Sequence, residues 1–541
     1  MSDSVPSEVR QAEQAIDRAF RTNLLIGTPR TPALYHILSA ADDSVFVPLT
    51  AVGHTPHEMI ARADTMINEL RYPIAWIFDA SPAGGLLEHV RDATLTTAAY
   101  DLLRLASAYD DISGVFVLAS AGLIELTLEG TEIRTRHRFK DDVRYEAYNR
   151  FVGRRRDNAP ALDMSSIVGE VARHVKVSNG RFSYDVTSQL LKDLSALVAP
   201  ALRARFLLPD HWEFGRYSLG EFRRVWKAVY ILTFLRFIAR YAAMLRGAPG
   251  MGVLDTLLIL ETSALRDSVS RIADLHESTV SSILEDLTYG ARGIRNPDPA
   301  IQPLIPIGET SVAIAPQLLL HLNPERNLCV LLNRIPEERF LYSQLTAEKE
   351  DIVRKRLIKA CEGRSLRFYS GKLPGRKDLP DIDLAIISED ESICFICELK
   401  WFIEPADTRE LIEKDQEIAK GLGQAAVLVH ALQETAEYRA HLALSGDCQI
   451  AGVVVSENWI GHVSPIAHSV PVIQAAHFEA RLQSANSLAA TAKWLSSRAY
   501  LPRESVDFDL IKTEVVVSEY RLEWYGFRPL MQDAVLPVND R

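Results

Sequence analysis

Three charged residues stand in two apolar runs of the sequence that otherwise have the character of buried strands. Asp383 precedes the run LAII, and Glu398 and Lys400 follow the run ICFIC. Because side chains of a strand alternate between its two faces, Glu398 and Lys400 share one face. The acidic turn SEDES, residues 388–392, separates the runs. A hairpin folded at the midpoint of this turn places Asp383 opposite Glu398.

Two facing carboxylates repel each other unless a positive charge lies between them, and a divalent cation supplies that charge. Oxygen ligands of this kind suit Mg²⁺ or Mn²⁺, which keep several waters and accept one or two carboxylates. We therefore predict that Asp383 and Glu398 bind a metal ion, with Lys400 in reach of a metal-bound water or a substrate phosphate. The alternative is a solvated face that carries a simple ion pair, with Asp383 as a turn residue. The apolar flanks of the second run favour a central strand, where unpaired charges are rare.

The motif Pro380-Asp381-Ile382-Asp383, followed by Glu398-Leu399-Lys400, resembles the PD-(D/E)xK nuclease superfamily. The resemblance covers about residues 340–480, in element order as well as in motif. The core of that family is a helix, a three-stranded antiparallel meander that carries the acids and the lysine, a second helix and a further strand. It implies that Asp383 and Glu398 are metal ligands and that Lys400 is the catalytic lysine, with Asp381 as the alternative to Asp383.

Two further residues follow from the same resemblance. Many members carry a Glu in the preceding helix in a pattern like E-x-x-V-x-x-x-L, which Glu350, Val353 and Leu357 match. Some carry a Gln in or near the following helix, for which Gln424 is the better candidate and Gln416 the alternative. The resemblance thus implies a site of Asp383, Glu398, Lys400, Glu350 and Gln424.

The activity implied is metal-dependent hydrolysis of phosphodiester bonds in DNA, by analogy in a bacterial restriction or anti-phage defence setting. RNA is the alternative substrate, because recognition of a 2′-hydroxyl depends on geometry that a sequence does not display. The competing hypothesis is a non-catalytic protein that keeps the nuclease-like scaffold to bind nucleic acid or another protein. Double-strand cleavage would favour a homodimer, and the N-terminal region is the place for a protein partner.

Local basic stretches indicate where a polyanion would be contacted, since the whole chain carries a net charge of −11. One is the loop before Asp383, with Lys372, Arg376 and Lys377. The other ends the basic, aromatic-rich stretch 134–156 and contains Arg154 and Arg155. The alternative for the second stretch is a solvated helical face.

Composition indicates a multidomain protein of a reducing compartment. The chain has 541 residues, of which 47% are hydrophobic, and five cysteines, which do not form a disulfide framework. Cys394 and Cys397 point to opposite faces of one strand and are interpreted as core residues. The apolar stretch 225–245 is interrupted by three basic residues, so we expect no membrane span and a cytoplasmic protein.

The pattern along the chain predicts a multidomain α/β protein. We expect a mixed α/β domain at 1–157, a helical region at 158–290, a β-rich bridge at 291–340, a restriction-endonuclease-like α/β/α domain at 341–480 and a helix-and-strand extension at 481–541. Strands are predicted in the first domain at 44–52, 73–78, 113–119 and 122–128 and in the bridge at 311–316, 317–322 and 328–335. A helix is predicted at 344–361 with Thr346 as its N-cap.

Overall fold

The computed structural model describes residues 6–50, 56–139, 141–153, 165–178, 181–245, 256–374, 379–403, 405, 408–462 and 470–530. The chain divides into two compact units, and each unit is built from separate segments. The first unit contains Met1–Ala12, Ile112–Asp157 and Gln344–Arg541, and the second contains Glu13–Asp111 and Asn158–Ser343. The linear segments predicted from sequence differ from this division, because residues 1–157 contribute to both units.

Fourteen strands lie in the described residues. In chain order they are β1 Ile124–Glu129, β2 Glu132–His137, β3 Val175–Ser178, β4 Arg181–Tyr184, β5 Leu258–Glu261, β6 Ile305–Ile307, β7 Ser311–Ile314, β8 Arg367–Gly371, β9 Ile382–Ser388, β10 Ile393–Trp401, β11 Gln449–Glu457, β12 Val472–Gln474, β13 Phe508–Val517 and β14 Tyr520–Pro529.

Helices make up most of the remaining regular structure. They are Ser7–Ile16, Leu24–Gly27, Arg30–Thr50, Pro56–Glu69, Arg71–Ala80, Ala93–Ser120, Asp142–Gly153, Ser165–His174, Ser188–Arg205, Leu219–Leu245, Thr262–Ala273, Glu277–Asp286, Pro316–His321, Pro324–Arg334, Pro336–Ala360, Thr408–Glu434, Ala436–His441, Ala475–Ser484 and Leu488–Ser496. Two of them position the candidate site: Pro336–Ala360, called here the Glu350 helix, and Thr408–Glu434, called here the Gln424 helix.

The first unit contains a five-stranded sheet in the order β12-β11-β10-β9-β8. Strands β8, β9 and β10 form an antiparallel meander, and β11 and β12 continue the sheet in parallel with β10. The Glu350 helix precedes the meander, and the Gln424 helix connects β10 to β11, as a parallel pair requires. This order of elements agrees with the order predicted from sequence.

Both faces of this sheet are buried, which explains the nearly continuous apolar runs of β9 and β10. One face packs Phe395 and Leu399 in a core that includes Val353 and Leu357 of the Glu350 helix. The other face packs Cys394, Ile396, Ala385 and Ile387 in a core that includes Leu428 and Leu432 of the Gln424 helix. Cys394 and Cys397 are both buried free thiols, in agreement with their interpretation as core residues.

A second sheet in the same unit has the order β1-β2-β14-β13. The hairpins β1–β2 and β13–β14 are antiparallel, and they join through a short parallel pairing of Glu132 with Arg521 and of Ile133 with Leu522. The first unit is therefore held together by strands from distant parts of the chain.

The second unit is mainly helical, with the hairpin β3–β4 and a three-stranded sheet in the order β5-β7-β6. Its central helix Leu219–Leu245 is long and apolar enough to cross a membrane, and it is the one such helix among the described residues, but most of its apolar window is buried inside the protein. Arg240 of this helix is itself buried. Its Nη1 donates to Asp42 Oδ2 at 2.8 Å, and Nη2 bonds to Asp43.

Several predicted strands are wrong. The stretches 44–50, 73–78 and 113–119 lie in helices, so the first predicted domain is mainly helical, and only 122–128 overlaps a strand, β1. In the predicted bridge, 317–322 and 328–335 fall largely in the helices Pro316–His321 and Pro324–Arg334. Short runs of Val, Ile and Leu are ambiguous by periodicity, because a helix that is buried all round is apolar all round.

The helix predicted at 344–361 begins earlier, at Pro336, so Thr346 lies in its interior and is not its N-cap. Pro336 is the first residue of this helix and Glu337 and Glu338 lie in its first turn, which is where a helix start favours proline and acidic side chains. The predicted helix is therefore confirmed, but its first residue and its N-cap differ from the prediction.

Candidate active site

The register of β9 and β10 is the one expected for a hairpin folded at the midpoint of the acidic turn. The observed pairs run from Ser388 opposite Ile393 to Leu384 opposite Cys397. Asp383 and Glu398 are the next residues on their strands, so this register brings them opposite each other. The hairpin pairing that the sequence predicted is the one observed.

Asp383 is fixed by a bond to the neighbouring strand. Its Oδ2 accepts a hydrogen bond from the backbone N–H of Leu399 at 2.8 Å, and its own backbone carbonyl accepts one from Arg354 Nε at 2.9 Å. Arg354 lies on the Glu350 helix, one turn after Glu350. The side chain of Asp383 is thus held beside β10 by the backbone of that strand.

Glu398, Lys400 and Gln424 form a connected polar group. Lys400 Nζ donates to Glu398 Oε1 at 2.8 Å and to Gln424 Oε1 at 3.3 Å. Glu398 is only 3% exposed, although it carries a carboxylate. The two strand residues share a face, as period-two alternation requires, and the Gln424 helix closes over that face.

Glu350 faces the same group from the helix that precedes the meander. It accepts a hydrogen bond from the backbone N–H of Trp401, and its charge interacts with those of Asp383 and Lys400. Burial and the nearby carboxylate of Asp383 raise the pKa of Glu350 above its ordinary value. All five residues of the predicted site are therefore brought together within the first unit.

The carboxylates hold protons more tightly than they would in water. Burial, followed by the charge of Asp383, raises the pKa of Glu398 to about 7. Burial likewise raises the pKa of Asp383, although the N–H of Leu399 and the ammonium of Lys400 oppose this. Burial lowers the pKa of Lys400, but the carboxylates around it outweigh that effect and raise it. Lys400 is therefore a cation at neutral pH and can stabilise negative charge.

Gly421 permits the close approach of the Gln424 helix to Lys400. A Cβ added at Gly421 would lie 2.9 Å from Lys400 Cε and 3.4 Å from Glu398 Cγ. Every residue other than glycine would therefore displace the lysine. Sequence reasoning missed Gly421, and the only signal for it was a glycine three residues before Gln424 in a helical stretch.

Lys349 and Arg354 were also missed. Lys349 is buried, and its Nζ lies 3.3 Å from the centre of the Trp401 ring, a cation–π contact that holds the end of β10. Arg354 bonds to the backbone of Asp383, as described above. Both are basic residues of the Glu350 helix within one turn of Glu350, and that spacing was the available signal.

The donor set fits a hard divalent cation. Glu398 Oε2 is buried and accepts no hydrogen bond from the described residues, while Oε1 is engaged by Lys400. Asp383 uses one of its two oxygens for Leu399. Within the described ranges, no three His, Cys, Asp or Glu side chains converge as a metal-binding cluster. A bound Mg²⁺ or Mn²⁺ would therefore use these two carboxylates and complete its shell with water or substrate oxygens.

The alternatives to Asp383 and Gln424 are both exposed residues. Asp381 is exposed, with its Oδ1 4.0 Å from Lys372 Nζ, and Gln416 is an exposed residue of the Gln424 helix. Lys372 is largely exposed on the loop that precedes Asp383. Arg376, Lys377, Arg154 and Arg155 lie outside the described residues.

No match was found when the chain was compared with protein-family models, with curated proteins and with solved structures. The functional assignment therefore rests on the residues and geometry described above.

Proposed function

We propose that the first unit is a metal-dependent nuclease of the PD-(D/E)xK type, with a restriction-endonuclease-like domain that hydrolyses phosphodiester bonds in DNA. The observation that carries the proposal is the convergence of Asp383, Glu398 and Lys400 on one face of a buried sheet, next to Glu350 and Gln424. A buried hairpin has no structural need for two carboxylates whose burial raises their pKa values, and such clusters are typical of functional sites.

Asp383 and Glu398 would hold Mg²⁺ or Mn²⁺. When bound, such an ion lowers the pKa of a coordinated water and neutralises charge on a phosphate. Lys400 remains protonated, so its role is to stabilise the negative charge that develops on the phosphoryl oxygens. Gln424 Oε1 accepts a hydrogen bond from Lys400 Nζ and orients it, and Glu350 adds negative charge that keeps this lysine protonated.

The topology supports the same proposal. The ligands are fixed on adjacent strands of a sheet that is buried on both faces, which gives a more rigid arrangement than a loop would. The exposed side chain of Lys372 supplies positive charge on the loop that leads to Asp383. Phosphate contacts of this kind position nucleic acid without reading its sequence.

The test is cleavage of plasmid DNA, linear duplex, single-stranded DNA and RNA by the purified protein with Mg²⁺ or Mn²⁺, and with EDTA as the blank. Lys400→Ala should abolish cleavage while the melting temperature and circular dichroism stay native-like. Lys512→Ala is the matched control, because Lys512 is 82% exposed and pairs with Glu523 on the second sheet. Equal cleavage by the Lys400 variant and the native protein would refute the proposal. Absence of both cleavage and Mn²⁺ binding would favour a non-catalytic scaffold.

A further inference from the structure

A basic, aromatic cavity of about 520 Å³ lies in the second unit, whereas the proposed nuclease site belongs to the first. It is bounded by the hairpin β3–β4, by strand β5 and by the helix Leu219–Leu245 through Arg236, and His89 also lines it. Its volume lies within the range of roughly 300–1,000 Å³ that is typical of small-molecule sites.

Among the described residues, the lining of this cavity carries positive charge. Lys176, Arg181, Arg236 and His89 line it, and no Asp or Glu of the described ranges does. A second cavity of the same unit, about 700 Å³, differs: of the described charged residues, Asp101 is the one that lines it. In a chain with a net charge of −11, the first cavity is thus a local concentration of positive charge.

Two of these cations can exchange their present contacts for a ligand. Arg181 Nη2 donates to the backbone carbonyl of Glu88 at 3.3 Å, and this acceptor carries no charge. Lys176 pairs with Asp185 at 3.2 Å, but both side chains are largely exposed, so water screens the pair and the pair is weak. A phosphate can therefore compete for both side chains.

Aromatic rings stand beside the cations. The Arg236 guanidinium lies 4.2 Å from the centre of the Phe182 ring, and the Phe182 and Tyr184 rings stack with centres 6.1 Å apart. Arg236 is 8% exposed, so packing fixes its orientation. A planar guanidinium held against a ring presents a fork of donors that matches a phosphate, and Tyr184, which is half-buried, offers a face to a flat ring.

The backbone of His89 adds an independent observation. Its φ is +50°, in the left-handed region that residues with a side chain rarely adopt. Strained residues of this kind concentrate at sites that hold ligands, because the conformation aims a side chain where an ordinary one would not.

We propose that this cavity binds a nucleotide, with its phosphate on Arg181, Lys176 and Arg236 and its base against Tyr184. The ligand chemistry, a phosphate joined to a flat ring, is supplied either by a free nucleotide or by the terminal nucleotide of a strand. The site lies in the second unit, and the proposal does not depend on the nuclease activity of the first.

The experiment is calorimetric titration of the full chain in EDTA with the four common ribonucleoside 5′-monophosphates, adenosine, inorganic phosphate and a 5′-phosphorylated oligonucleotide. At least one monophosphate or the oligonucleotide should bind at least tenfold more tightly than adenosine or phosphate. Arg181→Gln should weaken that binding at least tenfold, and Lys192→Gln, an exposed lysine of the helix Ser188–Arg205, should not. Lys176→Gln replaces Arg181→Gln if the latter fails to melt like the native protein.

The monophosphate and oligonucleotide titrations distinguish a free nucleotide from the terminal nucleotide of a strand. Binding of a monophosphate without competition by the oligonucleotide identifies a free nucleotide, and preference for the oligonucleotide identifies the end of a strand. Equal affinity of the native protein and the Arg181→Gln variant, or the Lys176→Gln variant where it replaces it, would overturn the proposal, as would binding no tighter than that of adenosine and phosphate. Because EDTA removes divalent metal, these outcomes are independent of whether the first unit cleaves DNA.

Discussion

Gly421 lies directly against Lys400, with room for a hydrogen atom and not for a methyl group. The distance from a Cβ built at Gly421 to Lys400 Cε is 2.9 Å, well inside van der Waals contact. Because the same helix supplies Gln424, whose Oε1 accepts a hydrogen bond from Lys400 Nζ, the helix fixes the lysine by contact at one point and by a bond at another. The position of the ammonium therefore depends on a residue that has no side chain.

The first prediction concerns Gly421→Ala. The added methyl group should displace Lys400 and reduce DNA cleavage at least tenfold, while the melting temperature stays equal or rises, because alanine favours a helix over glycine by about 1 kcal/mol. Gly423→Ala is the matched control, since it makes the same change two residues later with nothing within 4 Å. Both variants should gain helix stability, and only the first should lose activity. Equal activity would show that the contact does not position Lys400.

The second prediction concerns the bond between Lys400 and Gln424. Gln424→Ala removes an acceptor at 3.3 Å and should lower kcat by about 10- to 100-fold, with KM for DNA little changed, because orientation of the lysine matters in the transition state. Gln416→Ala, an exposed position on the same helix, should behave like the native protein. Single-turnover kinetics on a defined duplex compares the cleavage rate and the apparent DNA affinity of the two variants with those of the native protein. A loss that appears only in KM would assign Gln424 to substrate binding.

The third prediction is a pH dependence of stability to which Glu398 contributes. Its folded pKa of about 7 exceeds the ordinary value of 4.5, so between these two pH values the folded protein retains a proton that the unfolded chain has lost. The free energy of unfolding of the metal-free protein should therefore fall as pH rises from about 5 to 7. Mn²⁺ affinity should rise over the same interval, because the metal displaces this proton.

Denaturation at several pH values in EDTA, and Mn²⁺ titration at the same values, measure the two effects. Glu398→Gln should reduce the pH dependence of stability, because Asp42 and Glu69, whose pKa values burial also raises to about 7, still contribute to it, and it should abolish tight Mn²⁺ binding. Glu437→Gln, at an exposed position, should change neither. A native protein whose Mn²⁺ affinity is the same at pH 5.5 and pH 7.5 would contradict the prediction.

The fourth prediction concerns the buried charges of the second unit. Arg240→Met removes the guanidinium that Asp42 and Asp43 share, and although Asp43 keeps its ion pair with Arg91, Asp42 loses its ion-pair partner, which should cost about 3–5 kcal/mol of the free energy of unfolding. Arg271→Met, at an exposed position of the helix Thr262–Ala273, should cost less than about 0.5 kcal/mol. Urea denaturation followed by tryptophan fluorescence makes the comparison. Equal stability of the two variants would mean that the carboxylates find other partners or protonate.

The sequence was most informative where structure is local. The midpoint of the acidic turn determined the register of β9 and β10, and alternation put Glu398 and Lys400 on one face. The fit of Gly421 against Lys400 and the bond from Lys400 to Gln424 depend on how a helix packs on the sheet, and no spacing along the chain encodes them.

The errors were made in short apolar runs whose periodicity does not distinguish a strand from a helix. The stretches 73–78 and 113–119 are rich in Val, Ile, Phe and Trp, and each lies in a helix with one part of its surface buried and another part half-buried or exposed. The sequence also did not indicate that each compact unit is built from separate segments of the chain. Residues 13–111 belong to one compact unit and 112–157 to the other, and nothing in the residues near 112 marks a boundary.

The parallel pairing of Glu132 with Arg521 has a consequence for the synthesis of the protein. Strand β2 emerges from the ribosome long before its partner β14, because strands β3 to β13 lie between them in the chain. The sheet that joins them therefore cannot close until all of these strands have been synthesised, and the unit with the candidate active site completes its fold only then. A nascent chain that stalls before β14 would leave the edge of β2 uncovered, and an uncovered edge is open to pairing with another chain.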